Sequence, residues 1–190
     1  MTIELVVGLG NPGAEYEATR HNVGFWFVDE VARIKGCHFT PERKFNGQVC
    51  KVPLSARNIY LIKPSTYMNR SGAAVAAIAS YYKIDAESML VVHDELDLPV
   101  GKARLKKGGG HGGHNGLRDI VSALGTKDFL RLRLGIDHPG VGRDVSNYVL
   151  GRPSLVDREQ IESAMDAALQ ILPDLLDGNT QKAMNQLHRG

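Results

Sequence analysis

Short β-branched or alternating apolar runs recur along this 190-residue chain with helical segments between them, and that alternation restricts the fold to α/β layers. The strand signals fall at Ile3–Leu9, Gly47–Pro53, Asn58–Lys63, Met89–His93, Lys102–Lys106 and Phe129–Ile136. Asn22–Lys35 carries Phe25, Val28 and Ala32 at near-helical spacing and stops at Gly36. Arg70–Tyr82 is dense in alanine and suits close packing on a sheet, and Asn115–Leu124 runs from a glycine stretch to Gly125. Ser154 and Asp157 read as a capping box opening a helix with an Ile161, Met165, Ala168, Leu172 stripe, which Pro173 should end. Thr180–His188 reads as a short last helix. The expectation is one three-layer α/β domain over residues 1–190, with a mixed, mostly parallel twisted sheet flanked by helices.

A chain of this length buries a core without covalent staples. Cys37 and Cys50 form no C-x-x-C, which argues for reduced thiols rather than a disulfide framework or structural zinc. The N-terminus opens on a strand pattern without a basic leader, and no apolar run reaches transmembrane length. A cytoplasmic protein with no membrane partner is therefore expected. The net charge of +2 hides an asymmetry: eight basic side chains against two acidic between Lys102 and Arg133, and six acidic against one basic between Ser154 and Asp177. Such a chain can hold a polyanion at one place only.

Asparagine and histidine gather in loop-like stretches: Gly8–Gly13, Thr19–Asn22, Tyr67–Asn69, His93–Asp97 and His114–Asn115. Asparagine is a poor helix former, so this placement is costly for folding alone. Converging amides grip a peptide group whatever its side chain, and an imidazole beside a carboxylate deprotonates water. The pattern suggests a hydrolase that reads peptide backbone. Asn11, Asn69 and Asp94 each follow or close a strand, where open α/β sheets place ligands. His21 stands at a helix start, with Thr19 or Asn22 as its cap, and the positive dipole end there disfavours protonation, as a general base requires. Asp94, emerging from a buried strand, can fix an imidazole tautomer, while His93 reads as structural. Tyr16 and Tyr67 lie within the motif stretches and can line a pocket. There is no Gly-x-Ser-x-Gly and neither cysteine neighbours a motif, so water is the expected nucleophile.

Two other readings compete. Gly8-x-Gly10-x-x-Gly13 follows a strand as in dinucleotide-binding folds, which would make the chain an NAD(P)-dependent oxidoreductase. Against it, Pro12 sits inside the turn, polar residues separate Gly13 from the helix, and no acid ends the second strand. His111-x-x-His114 with His93 or Asp94 offers a zinc set, without H-E-x-x-H or a cysteine ligand to support it.

Gly8–Gly13, Tyr16 followed by Thr19–Asn22, Lys63–Gly72, His93–Pro99 and Gly108–Leu117 together resemble bacterial peptidyl-tRNA hydrolases in order and spacing, over roughly residues 3 to 151. The resemblance implies a monomeric esterase, free of metal and cofactor, that cleaves peptidyl-tRNA and recycles tRNA. It implies His21 as the base, Asp94 as its orienting carboxylate, and Asn11 as the group that places water or ester and meets the oxyanion. Asn69 and Asn115 would bind peptide and ester backbone, with Tyr16, Tyr67 and His114 contacting substrate at the CCA end. Arg104, Lys106 and Arg133 would hold acceptor-stem phosphates, Arg104 standing where lysine is frequent, and Gly142–Gly151 would form a lid-like stretch. A non-catalytic tRNA-binding module is the remaining alternative.

Overall fold

The structure, a computed structural model, describes residues 1–189. Seven strands, β1 (Leu5–Gly8), β2 (Thr40–Glu42), β3 (Gly47–Pro53), β4 (Asn58–Pro64), β5 (Met89–Glu95), β6 (Ala103–Lys107) and β7 (Leu130–Gly135), form one sheet in the order β2-β3-β4-β1-β5-β7-β6. The central strands β4, β1, β5 and β7 pair in parallel, whereas β2, β3 and β6 pair antiparallel at the edges. The sheet is thus mixed as expected, with its parallel pairing confined to the centre.

Apolar alternation builds a layer on each face. Val6, Leu90 and Val92 point into a core with helices α1 (Val23–Lys35), α5 (Leu155–Leu176) and α6 (Thr180–His188). Leu5, Val7, Met89 and Val91 point into the opposite core with α2 (Ser71–Tyr82) and α3 (Asn115–Leu124). Both faces are covered, so these strands read as continuous apolar runs. Among the described residues no helix is long and apolar enough to cross a membrane.

Three elements depart from the sequence reading. Strand β2 gave no signal because it is an exposed three-residue edge containing Pro41. Helix α4 (Val145–Val149) is a single short turn, started by Asp144, whose side chain accepts from the Asn147 amide at 3.3 Å. Pro173 does not end α5: the helix continues to Leu176. The proline removes one backbone donor, but Leu172, Leu175 and Leu176 are buried. The Leu176 carbonyl also accepts from the Ile3 amide at 3.1 Å and from Arg57, and these contacts hold the last turn in place.

Helix α1 meets the sheet with almost no clearance. A Cβ built on Gly24 would lie 2.4 Å from the Val92 carbonyl oxygen and 2.5 Å from the Leu9 amide. Only glycine lets the head of α1 rest on the exits of β1 and β5, and that contact brings residue 21 to residue 94. Gly24→Ala should therefore destabilise the protein by about 1–3 kcal/mol or more, read by denaturant unfolding. An unchanged midpoint would contradict this packing.

Candidate active site

Strand β5 runs past His93 to Glu95, so Asp94 belongs to the strand and is 4% exposed. Its Oδ2 lies 2.8 Å from His21 Nδ1, and its Oδ1 lies 2.8 Å from His114 Nε2. His114 is the N-cap of α3, and its Nδ1 accepts from the Leu117 amide at 3.3 Å. That bond leaves the ring proton on Nε2, which donates to Asp94. His21 likewise donates Nδ1–H to the carboxylate and keeps a lone pair on Nε2. His114, expected as a substrate contact, thus holds the carboxylate as well.

His21 lies in a 3-10 turn, Arg20–Asn22, just before α1. Thr19 and Asn22 occupy the N-cap positions of this turn and of α1, but neither side chain makes a capping hydrogen bond. The Thr19 hydroxyl donates to the Tyr16 carbonyl at 2.8 Å. Asn22 is turned to the glycine loop instead: its Oδ1 accepts from the Asn11 amide and its Nδ2 donates to the Asn11 carbonyl, both at 2.9 Å. Asn11 Oδ1 in turn accepts from the Met68 amide at 2.7 Å. That bond takes one lone pair of the oxygen and orients the amide, leaving the Nδ2 donors of Asn11 for the site.

These groups open on one cavity of about 290 Å³ at the C-terminal edge of the sheet. His21, Asp94, Asn11, Tyr67, Asn69, His114 and Asn115 all line it. Asn69 comes from the turn Met68–Arg70 ahead of α2, and Asn115 opens α3. Tyr16 does not line the cavity; it packs edge-on against Tyr67, ring centroids 6.2 Å apart. The short α4 supplies the outer wall through Val145, Ser146 and Val149. Arg104, Lys106 and Arg133 lie outside on the β6–β7 ladder, Arg104 opposite Arg133. Arg133 is tied to Glu95, Nε to Oε1 at 2.8 Å, and Glu95 lines the cavity, so the basic strip begins at its rim.

Burial pushes the His21 imidazole down, but the charge of Asp94 and its hydrogen bond outweigh burial, and the net shift is upward from 6.5. The expectation of a ring kept neutral by a helix dipole is corrected: a carboxylate at 2.8 Å outweighs the partial charge of a helix end. For Asp94, burial alone would raise the value, and its interactions with His21 and His114 hold it far below the carboxylate range. His93 is pushed well below 6.5, by burial first and then by His114 and Arg131. It stays neutral, with Nδ1–H donating to the Asp94 carbonyl at 2.8 Å.

Linkage gives these shifts opposite signs. His21 contributes stability that is complete below 6.5 and is lost as pH rises through its raised folded-state value. Asp94 contributes stability present above 3.8 and lost only as pH falls through its much lower folded-state value. His93 opposes the fold below 6.5, where the unfolded ring takes a proton the buried one refuses.

A family model described as peptidyl-tRNA hydrolase matches residues 5–190. The chain belongs to the peptidyl-tRNA hydrolase family. Peptidyl-tRNA hydrolases of Neisseria meningitidis serogroup C and Chromohalobacter salexigens are each 55% identical to it over 98% of this chain, covering 97% and 96% of their own lengths. The crystal structure of peptidyl-tRNA hydrolase from Acinetobacter baumannii superposes with a TM-score of 0.94 at 46% identity, over 97% of this chain and 94% of that one.

Membership removes the oxidoreductase and the non-catalytic alternatives, and the geometry gives a reason for the first. The α-helix does not start at Gly13: two 3-10 turns intervene before α1, so the loop does not run directly into an α-helix as the dinucleotide fingerprint requires. A Cβ on Gly8 would meet the Gly24 carbonyl oxygen at 2.5 Å, so this glycine serves packing. The His111-x-x-His114 zinc set is not assembled as imagined. The atoms that do converge, on His21, Asp94 and His114, lie within 4.8 Å of one another, and both Asp94 oxygens already accept ring N–H groups. Sequence reasoning missed Asn22, Glu95 and Arg131 as parts of this site. Asp94→Asn removes the raising influences on His21 and leaves burial, so its midpoint should fall below 6.5 in an NMR pH titration of the ring C–H protons. An equal or higher midpoint in the variant would contradict the assignment.

Proposed function

We propose that this chain hydrolyses the ester joining a peptide to the ribose of the terminal adenosine of tRNA, acting as a monomeric single domain over residues 1–190 in the cytoplasm. The observation that supports this best is the His21–Asp94–His114 hydrogen-bonded set inside a cavity lined by Asn11, Asn69 and Asn115. In this reading neutral His21 takes a proton from water through Nε2 as the water attacks the ester carbonyl. Asp94 steadies the imidazolium, and the Asn11 Nδ2 donors meet the oxyanion. Collapse of the tetrahedral intermediate breaks the C–O bond to ribose, and His21 returns the proton to the departing hydroxyl. No cofactor enters the scheme.

Asn69 and Asn115 hold the N–H and C=O of the residues upstream of the ester, with Tyr67, supported by Tyr16, along the same wall. A free α-amino group offers no such pair and leaves those amides without partners, which selects peptidyl over aminoacyl ends. Arg104, Lys106 and Arg133 run from the cavity rim along β6 and β7, and they hold acceptor-stem phosphates while the CCA end enters the cavity. Arg133 keeps further N–H donors for phosphate beside its Nε bond to Glu95. His21→Ala should lower turnover of N-acetyl-aminoacyl-tRNA by at least about 10² with the fold intact, measured as released amino acid against circular dichroism. Turnover equal to the parent protein's would overturn the proposal.

A further inference from the structure

Arg131 is a cation in an unusual place. It sits on β7 and is 4% exposed, although the sequence offers it as one more member of a basic surface. A buried guanidinium is tolerated only where its donors are satisfied, and the partners here are specific. Its Nε donates to His93 Nε2 at 3.2 Å, and one terminal nitrogen donates to the carbonyls of Gly108 and Gly110 at 3.2 and 3.0 Å. The other terminal nitrogen faces Glu95 Oε1 at 3.8 Å.

Two routes lead from these bonds to Asp94. On the first, the donation from Arg131 forces His93 to carry its proton on Nδ1, which donates to the Asp94 backbone carbonyl at 2.8 Å. On the second, Arg131 pins the start of the loop from β6 to α3. That loop contains Gly108, Gly109, Gly112 and Gly113, all at positive φ, and has little stiffness of its own. Its far end is His114, the ring that donates to the Asp94 carboxylate.

We infer that Arg131 is a positioning residue for hydrolysis, holding the Asp94 backbone through His93 and the Asp94 carboxylate through the glycine loop and His114. This rests on the function proposed above. The titratable and charged groups around Asp94 are His21 from the turn before α1, His93 and Glu95 from β5, His111 and His114 from the loop and α3, and Arg131 from β7. Lysine would keep the charge but not the fork that reaches His93 and two carbonyls at once. With the loop released, the His114 bond to Asp94 weakens, more of the carboxylate's charge falls on His21, and the base titrates at higher pH.

The test is steady-state hydrolysis of N-acetyl-aminoacyl-tRNA across pH by the full chain, its Arg131→Lys, Lys106→Ala and His21→Ala variants, with folded fraction measured alongside. Arg131→Lys should lose on the order of 10- to 100-fold in kcat, the effect of misplacing a catalytic group by about an ångström, with KM little changed and the acidic limb moved up. Unchanged kcat, or a loss matched by the folded fraction with the limb unmoved, would overturn the inference. So would a rise in KM with a flattened salt dependence, the pattern of a phosphate contact that Lys106→Ala should give. If Arg131→Lys does not fold, His93→Gln and His93→Leu carry the test. Glutamine keeps an acceptor for Arg131 and a donor for the Asp94 carbonyl, so leucine should lose about tenfold more kcat, and equal losses would refute the role. Parent-like turnover by His21→Ala would instead bring down the proposed function itself.

Discussion

The structure turns on one buried carboxylate. Asp94 stands near the end of strand β5, beside the central strand β1 and out of water, where an unpaired charge would be driven to take a proton. Two imidazole N–H groups prevent that, one from the turn ahead of α1 and one from the head of α3. These helices lie on opposite faces of the sheet, so the same bonds join both layers to its active edge. Removing either ring would leave the carboxylate with half its partners and its neighbouring loop without a fixed end.

Around that pair the chain uses small groups to bring backbones close. Gly24 lets α1 touch the exits of β1 and β5, and the two-bond clasp between Asn22 and the Asn11 backbone locks the glycine loop to the same helix. Asn11 is then oriented by the Met68 amide, which belongs to the turn that also carries Asn69. Three loops from three parts of the sequence are thereby coupled through amides. The amide donors that face the cavity are thereby fixed before substrate arrives.

Much of this was legible in the sequence, for identifiable reasons. Strand β3 and helix α3 match the bounds read from apolar period and terminal glycine, because those signals are local. The convergence of Asn11, Asn69 and Asp94 followed from their positions at or after strand ends, and His21 and Asn115 stand at or next to helix starts, as read. What local pattern does not contain is pairing across distance. Asn22 looks like a cap until Asn11 is seen beside it, and His114 looks like a substrate contact until its ring is found on Asp94. Arg131 reads as surface charge because burial of a cation depends on carbonyls brought in by a distant loop. The direction of the His21 shift was misread for the same reason: the helix end is visible in the sequence, but the distance to Asp94 is not.

The central claim is that His21 holds its proton on the ring nitrogen facing Asp94 and leaves the other free for water. Nitrogen-15 NMR of ring-labelled protein, above the pH at which His21 loses its charge, reports this directly. The account requires a protonated Nδ1 and bare Nε2 on His21, with the opposite arrangement on His114. A neutral His21 carrying its proton on Nε2 would contradict it, because the base would then present no lone pair to the cavity.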